Sequence, residues 1–152
     1  MLRATRMRRR PIGQVCEAVG RPRVAVHRGT HRLRRRLVGA VYGVTLIALE
    51  HRIKAAALIS VGLVSGFVQE IDPWNYAPRV RIPVLMLNGR DDFIFPVETS
   101  QKPLFNALGT PAADKRYTQY AGGHANLVSR PDLIGEILDW FDRYLGPVKS
   151  RP

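Results

Sequence analysis

Apolar positions in the second half of the chain form short continuous runs that predict buried strands. The runs at residues 55–60 and 83–88 are typical of strands that are covered on both faces in a parallel sheet. A more polar stretch, residues 115–120, predicts a third strand nearer to a sheet edge.

Helical patterns precede the first of these strands, separate the second from the third and follow the third, whereas residues 63–81 are interpreted as a connecting excursion between the first two. The pattern predicts a helix ending near residue 50, a second over about 97–108 that Pro103 would limit, and a closing amphipathic helix that begins at Pro131. Gly146 then ends that closing helix. The alternation of helices with buried strands predicts an α/β fold with three mostly parallel strands and flanking helices.

Charge divides the chain into two unequal parts. The 152 residues carry a formal charge of +12, and residues 1–40 hold 12 Arg, no Lys and only one acid, Glu17. This segment has no steady apolar period, so residues 1–38 are predicted to form a disordered basic arm. Four interpretations stay open: nucleic-acid binding, a mitochondrial transit peptide, a plain solvated tail, and an out-of-frame reading of GC-rich DNA.

Composition also excludes several classes of protein. No apolar run approaches the ~20 residues that cross a bilayer, and no apolar core of a signal peptide follows the first arginines. Cys16 is the single cysteine, and His27 and His31 have a ligand-like spacing without a second pair of ligands. The sequence therefore predicts a cytoplasmic protein without a membrane partner, metal site or cofactor.

Two loops that follow predicted strands contain the candidate chemistry. Asp92 follows the second strand and His124, preceded by two glycines, follows the third. A carboxylate on one imidazole nitrogen fixes the tautomer and leaves the other nitrogen free as a general base. The alternative is an ordinary solvated turn at Asp91 and Asp92, with Asp91 as an exposed neighbour or a local cap.

The segments PVLMLNGRDDFIFP and YAGGH, followed by the closing helix, resemble the C-terminal third of α/β-hydrolases, nearest to the dienelactone-hydrolase and prolyl-oligopeptidase branch. Gly89, Asp92, Phe95 and Pro96 match the acid loop of that family, and His124 matches its histidine. The resemblance covers about residues 39–148. It implies acyl transfer to water on a small-molecule ester or peptide, with Asp92 orienting His124 and His124 activating a serine.

The sequence departs from this family at the nucleophile. It contains no Gly-x-Ser-x-Gly motif, and Ser60 and Ser65 come after the helix that should follow the nucleophile. Counting back from Gly39 puts the expected serine at Leu37. We therefore predict an Arg-rich arm over 1–38 that is disordered or out-of-frame, a partial hydrolase domain over 39–148, and a tail over 149–152.

The polypeptide is accordingly expected to be a hydrolase fragment that is inactive alone. Two other functions stay open: a basic nucleic-acid-binding protein that uses the arm, and a non-catalytic interaction domain. Without earlier strands of the sheet, the apolar run at 55–60 would also be an exposed edge, through which the chain could associate with itself.

Overall fold

The structure, a computed structural model, describes residues 25–27, 30–36, 38–64, 66–124 and 130–147. Its strands form one sheet in which they lie side by side in chain order. The first pair is antiparallel, whereas every later neighbouring pair is parallel. The strands are β1 (Ala25–His27), β2 (Thr30–Arg36), β3 (Ile53–Ile59), β4 (Val84–Gly89) and β5 (Lys115–Tyr120).

Helices lie between consecutive parallel strands, and the short helix between β3 and β4 falls within the segment that the sequence predicts as a connecting excursion. Of the α-helices among the described residues, none is long and apolar enough to cross a membrane. They are α1 (Val38–Leu49), α2 (Pro73–Tyr76), α3 (Lys102–Ala107) and α4 (Pro131–Leu145). The three predicted strands correspond to β3, β4 and β5, and the predicted α/β class with a parallel sheet is confirmed.

The core lies on both faces of the sheet because β3 and β4 are buried on both sides. Alternate residues of each strand point to opposite faces, so each strand contributes to two apolar clusters. One cluster packs beneath α1 and α3 and includes Val44, Ala56, Leu58, Met86 and Leu104. The other packs beneath α4 and includes Ala57, Ile59, Leu85, Leu87, Ile137 and Phe141.

The closing helix α4 has the ends that its sequence predicts. Pro131 occupies its first turn, and Gly146 follows its last residue with a φ of 76°, a left-handed conformation that favours glycine. The amide of Gly146 donates to the Asp142 carbonyl, which completes the last turn. The face of this helix that covers the sheet consists of Leu133, Ile137, Trp140 and Phe141, whereas Ile134 and Leu138, which the apolar pattern places on the same stripe, are exposed.

The segment predicted as a basic arm contains two of the strands. Residues 1–24, 28, 29 and 37 lie outside the described residues, but β1 and β2 lie within the predicted arm. β2 pairs in parallel with β3 from His31 to Arg36, so the backbone ladder continues past the three predicted strands. The prediction of disorder rests on side-chain composition. Strand pairing depends instead on backbone N–H and C=O groups, and every residue except proline has both.

The predicted helix over 97–108 is divided in the structure. Residues Val97–Gln101 form a π-type turn, in which the Gln101 amide donates to the Pro96 carbonyl over 3.2 Å, and α3 begins only at Lys102. Pro103 lies in the first turn of α3, where its lack of an N–H group costs no hydrogen bond. The proline thus marks the start of a helix rather than a kink within one.

Candidate active site

Two loops at the carboxyl edge of the sheet bring the candidate residues together. The acid loop (Gly89–Pro96) follows β4, and the histidine loop (Ala121–His124) follows β5. Because β4 and β5 are parallel neighbours, both loops leave the sheet at the same edge. This edge is where open α/β sheets place their ligands.

Asp92 is held by three hydrogen bonds. Its Oδ1 atom accepts from the backbone amides of Ile94 at 2.9 Å and Phe95 at 3.0 Å, which closes a local turn around the carboxylate. Its Oδ2 atom lies 2.8 Å from Nδ1 of His124. The Asp92 side chain is completely buried, so the carboxylate is oriented by the protein and not by solvent.

His124 presents one ring nitrogen to Asp92. An ionised carboxylate can only accept a hydrogen bond, so Nδ1 donates and the proton resides on that nitrogen. The ring packs against Phe95 at 5.3 Å between centroids, and 11% of the side chain is exposed. Among the described residues no hydrogen-bond partner reaches Nε2, which is buried. This nitrogen is therefore available as a proton acceptor.

Glycine permits the two loops to touch through their backbones. A Cβ atom at Gly89 would collide with the carbonyl oxygens of Gly122 and Gly123, so a side chain there would push the loops apart. Gly122 itself has a φ of 117°, which few other residues tolerate. The glycines around the candidate pair thus determine how closely Asp92 and His124 approach.

Asp91, whose sequence suggests an exposed neighbour or a local cap, connects the acid loop to the histidine loop. Its amide donates to the Gly122 carbonyl, and its Oδ2 atom accepts from the Gly122 amide, both at 3.1 Å. The adjacent Arg90 amide donates to the Tyr120 carbonyl at 2.8 Å. Asp91 therefore supports the geometry of its neighbour without touching His124 in the contacts described.

The comparisons with solved structures show which known folds this chain resembles. An esterase from an Arctic intertidal metagenomic library, in its zinc-bound form, is 30% identical, with 72% of this chain and 46% of that chain covered and a TM-score of 0.59. A Klebsiella pneumoniae protein assigned as a dienelactone hydrolase is 23% identical, with 72% and 50% covered and a TM-score of 0.60. A Pyrococcus furiosus esterase is 12% identical, with 78% and 55% covered and a TM-score of 0.66.

The chain has the fold of the C-terminal part of an α/β-hydrolase. It spans about half the length of the solved structures that it matches. No protein-family model and no curated protein matches the sequence. The resemblance predicted from the acid and histidine loops is thereby confirmed at the level of the fold.

A buried glutamine holds the acid loop of this hydrolase domain at both ends. The Nε2 atom of Gln101 donates to the carbonyls of Gly89 at 2.9 Å and Phe95 at 2.6 Å, which flank Asp92 on either side. Its Oε1 atom accepts from the hydroxyl of Tyr117 on β5. Nothing in the sequence pattern distinguishes Gln101 from an exposed polar helix residue, so only the structure reveals this role.

Replacing Gln101 with Met, which is similar in size and apolar, is expected to lower the free energy of unfolding by at least about 3 kcal/mol. The substitution leaves two buried carbonyls and one hydroxyl without this partner, and each such loss costs about 1–3 kcal/mol. Urea denaturation followed by circular dichroism measures the change.

Lys102→Met is the matched control for Gln101→Met. Lys102 is the next residue along the chain, its side chain is 48% exposed, and it pairs only with Glu98 in the contacts described. An exposed ion pair contributes less than about 1 kcal/mol. Equal losses in the two variants would show that the glutamine does not hold the acid loop.

Hydrogen bonds connect the end of β5, just before the histidine loop, to α4. Glu136 accepts hydrogen bonds from Thr118 at 2.7 Å and from the hydroxyl of Tyr120 at 2.6 Å. Desolvation and the neighbouring Glu136 carboxylate raise the pKa of Tyr120 well above its ordinary value, so its hydroxyl stays protonated and donates. The closing helix of the hydrolase domain therefore fixes the strand from which His124 extends.

The positions considered for a nucleophile are Leu37, Ser60 and Ser65. β2 ends at Arg36 and α1 begins at Val38, so one residue, Leu37, separates a parallel strand from a helix at the edge that also carries the acid loop. Leu37 and Ser65 lie outside the described residues, and Ser60 directly follows β3. Within the described part of the chain, no group of three or more His, Cys, Asp or Glu side chains could hold a metal ion.

Proposed function

We propose that Asp92 and His124 are the acid–base pair of a hydrolase that cleaves small-molecule esters or peptides through a serine nucleophile. The observation that carries this proposal is the 2.8 Å contact between Oδ2 of Asp92 and Nδ1 of His124. Its companion is the Nε2 atom, which has no hydrogen-bond partner among the described residues. An orienting carboxylate, a fixed tautomer and a free nitrogen are what a general base requires.

The chemistry proposed for the pair is acyl transfer in two stages. Nε2 of His124 takes the proton of a serine hydroxyl as its oxygen attacks the carbonyl carbon, and then returns that proton to the departing alkoxide or amine. Water attacks the acyl-serine in the second stage, with the same nitrogen taking and returning a proton. Throughout, the Asp92 carboxylate stabilises the imidazolium that forms at each proton transfer.

The solved structures favour ester hydrolysis over other acyl transfers. The matches include the two esterases above and an acetyl xylan esterase from Paenibacillus, which is 19% identical with a TM-score of 0.60. This chain spans about half of each of these structures. Ester hydrolysis is therefore a proposal for this chain, and no individual residue of those proteins is assigned to it. Catalytic roles are proposed only for Asp92 and His124.

The nucleophile is proposed to belong at position 37. The sequence holds no Gly-x-Ser-x-Gly motif, but the succession of β2, one residue and α1 has the strand–turn–helix order on which that motif depends. Neither Arg36 nor Val38 supplies a nucleophilic hydroxyl. We therefore expect the polypeptide with Leu37 to be inactive, although its acid–base pair is formed.

Restoring a serine tests this function directly. The 152-residue chain is expected to hydrolyse p-nitrophenyl acetate no faster than its Asp92→Ala, His124→Ala double variant, and to remain unlabelled by a fluorophosphonate probe. Leu37→Ser is expected to gain covalent labelling at the new serine, and His124→Ala in that background is expected to abolish it. Mass spectrometry of the labelled peptide locates the adduct.

Leu49→Ser is the matched control, because it places the same new side chain at the exposed C-terminal end of α1, where 56% of the residue is accessible. This variant is expected to stay unlabelled. Absence of labelling in folded Leu37→Ser, or labelling that persists after His124→Ala, would contradict the proposal. Turnover by the unmodified chain that the double variant loses would place the nucleophile elsewhere.

A further inference from the structure

Ser60 has an unusual backbone conformation at the edge of the sheet where Asp92 and His124 meet. It directly follows β3 and its φ is 52°, the only positive φ of a residue other than glycine in the described part of the chain. Only 2% of the residue is exposed. Residues other than glycine in this region are strained, and such strain concentrates at functional sites.

The hydroxyl of Ser60 reaches the main chain of His124. Its Oγ atom donates to the His124 carbonyl at 3.0 Å, across 64 positions of sequence. β4 lies between the strands that precede these two residues, so the bond spans the carboxyl end of that strand. His124 is thus held at two points: the ring through Asp92 and the main chain through Ser60.

The surroundings of Ser60 prevent its backbone from relaxing. The Ser60 amide donates to the Leu87 carbonyl at 2.9 Å, and the Asn88 side chain donates to the next carbonyl, that of Val61, at 2.6 Å. Both bonds attach the end of β3 to β4. Glycine would adopt the same conformation without strain, so the serine side chain needs a compensating interaction, and its hydroxyl bond to His124 supplies one.

We propose that Ser60 is a positioning residue for His124, which it holds through the carbonyl so that Nδ1 stays aligned with Asp92. The proposal rests on the proposed function, because alignment matters for catalysis only if His124 is the base. Ser60 is not proposed as a nucleophile, since its hydroxyl proton is directed at a backbone carbonyl. The predicted consequence is that loss of the hydroxyl loosens the Asp92–His124 bond.

Histidine NMR spectra of the 152-residue chain test this role without requiring activity. The readout is the exchange rate with water of the Nδ1 proton of His124, assigned by its absence in His124→Ala. Ser60→Ala and Ser60→Gly are both expected to raise that rate about tenfold, the equivalent of one lost hydrogen bond of about 1.4 kcal/mol. The glycine variant also relieves the backbone strain, so it remains informative if the alanine variant fails to fold.

Ser100→Ala is the matched control, because Ser100 is a buried serine whose hydroxyl also donates to a backbone carbonyl, that of Leu63, at 2.7 Å. It should leave the His124 signal unchanged. An unchanged exchange rate in folded Ser60→Gly, or an equal increase in Ser100→Ala, would overturn the proposal. Asp92→Asn in the same experiment tests the acid–base pair separately, since only that variant removes the carboxylate partner of Nδ1.

Discussion

Asp92→Asn in the Leu37→Ser chain is expected to slow fluorophosphonate labelling of the new serine by about 10³- to 10⁴-fold. The asparagine oxygen can still accept hydrogen bonds from the backbone amides of Ile94 and Phe95, so the loop keeps its local turn. Its NH₂ group would then donate to Nδ1 of His124, which moves the ring proton to Nε2. The nitrogen that should accept the serine proton would already be occupied.

Asp91→Asn is a stringent control for Asp92→Asn. It makes the same chemical change one residue earlier, and the asparagine oxygen can still accept from the Gly122 amide. Its labelling rate is expected to stay within about threefold of the parent, as for a change without a named destabilising mechanism. Similar losses at both positions would indicate that net charge at the loop, rather than the tautomer of His124, controls the reaction.

The gene itself is expected to encode the nucleophile in another reading frame. Across codons 32–39, one of the two alternate frames is predicted to encode Gly-x-Ser-x-Gly with its serine at position 37. The arginine-only basicity of residues 1–40 and the strand–turn–helix succession at Arg36 and Val38 support this expectation independently. Sequencing the locus is the first measurement.

Expression in that alternate frame is expected to raise p-nitrophenyl acetate hydrolysis by about 10⁶-fold over the 152-residue chain, since the members of a catalytic triad act as a unit. Serine-to-alanine substitution in the corrected protein is the control and should remove the gain. If neither alternate frame encodes the motif, the frameshift hypothesis is wrong, and the basic segment requires a function of its own.

The parts of the fold that could be predicted from sequence are those whose side chains are buried in a regular pattern. β3 and β4 are continuous apolar runs, and α4 begins at Pro131 and ends before Gly146 as its sequence predicts. β2 could not be predicted in this way, because its sequence THRLRRR has no apolar face and its pairing comes from backbone hydrogen bonds to β3. A side-chain pattern does not predict a strand whose formation depends on backbone hydrogen bonds to its neighbour.

The residues of the candidate site also divide into those that could be predicted from the sequence and those that could not. Asp92 and His124 could be predicted because glycines and strand ends surround them in a recognisable order, and the structure brings them into contact. Their supporting residues could not, because Gln101 and Ser60 act on backbone carbonyls distant in sequence. Such contacts depend on the tertiary fold and leave no local periodicity.

The backbone contact at Gly89 couples the movements of the two loops that carry Asp92 and His124. With no space for a side chain between the loops, and with Arg90 and Asp91 bonded across the gap, neither loop can swing away while the other stays in place. Opening of this region would have to separate both loops in a single cooperative event. Asp92 and His124 are therefore expected to change position together and not one at a time.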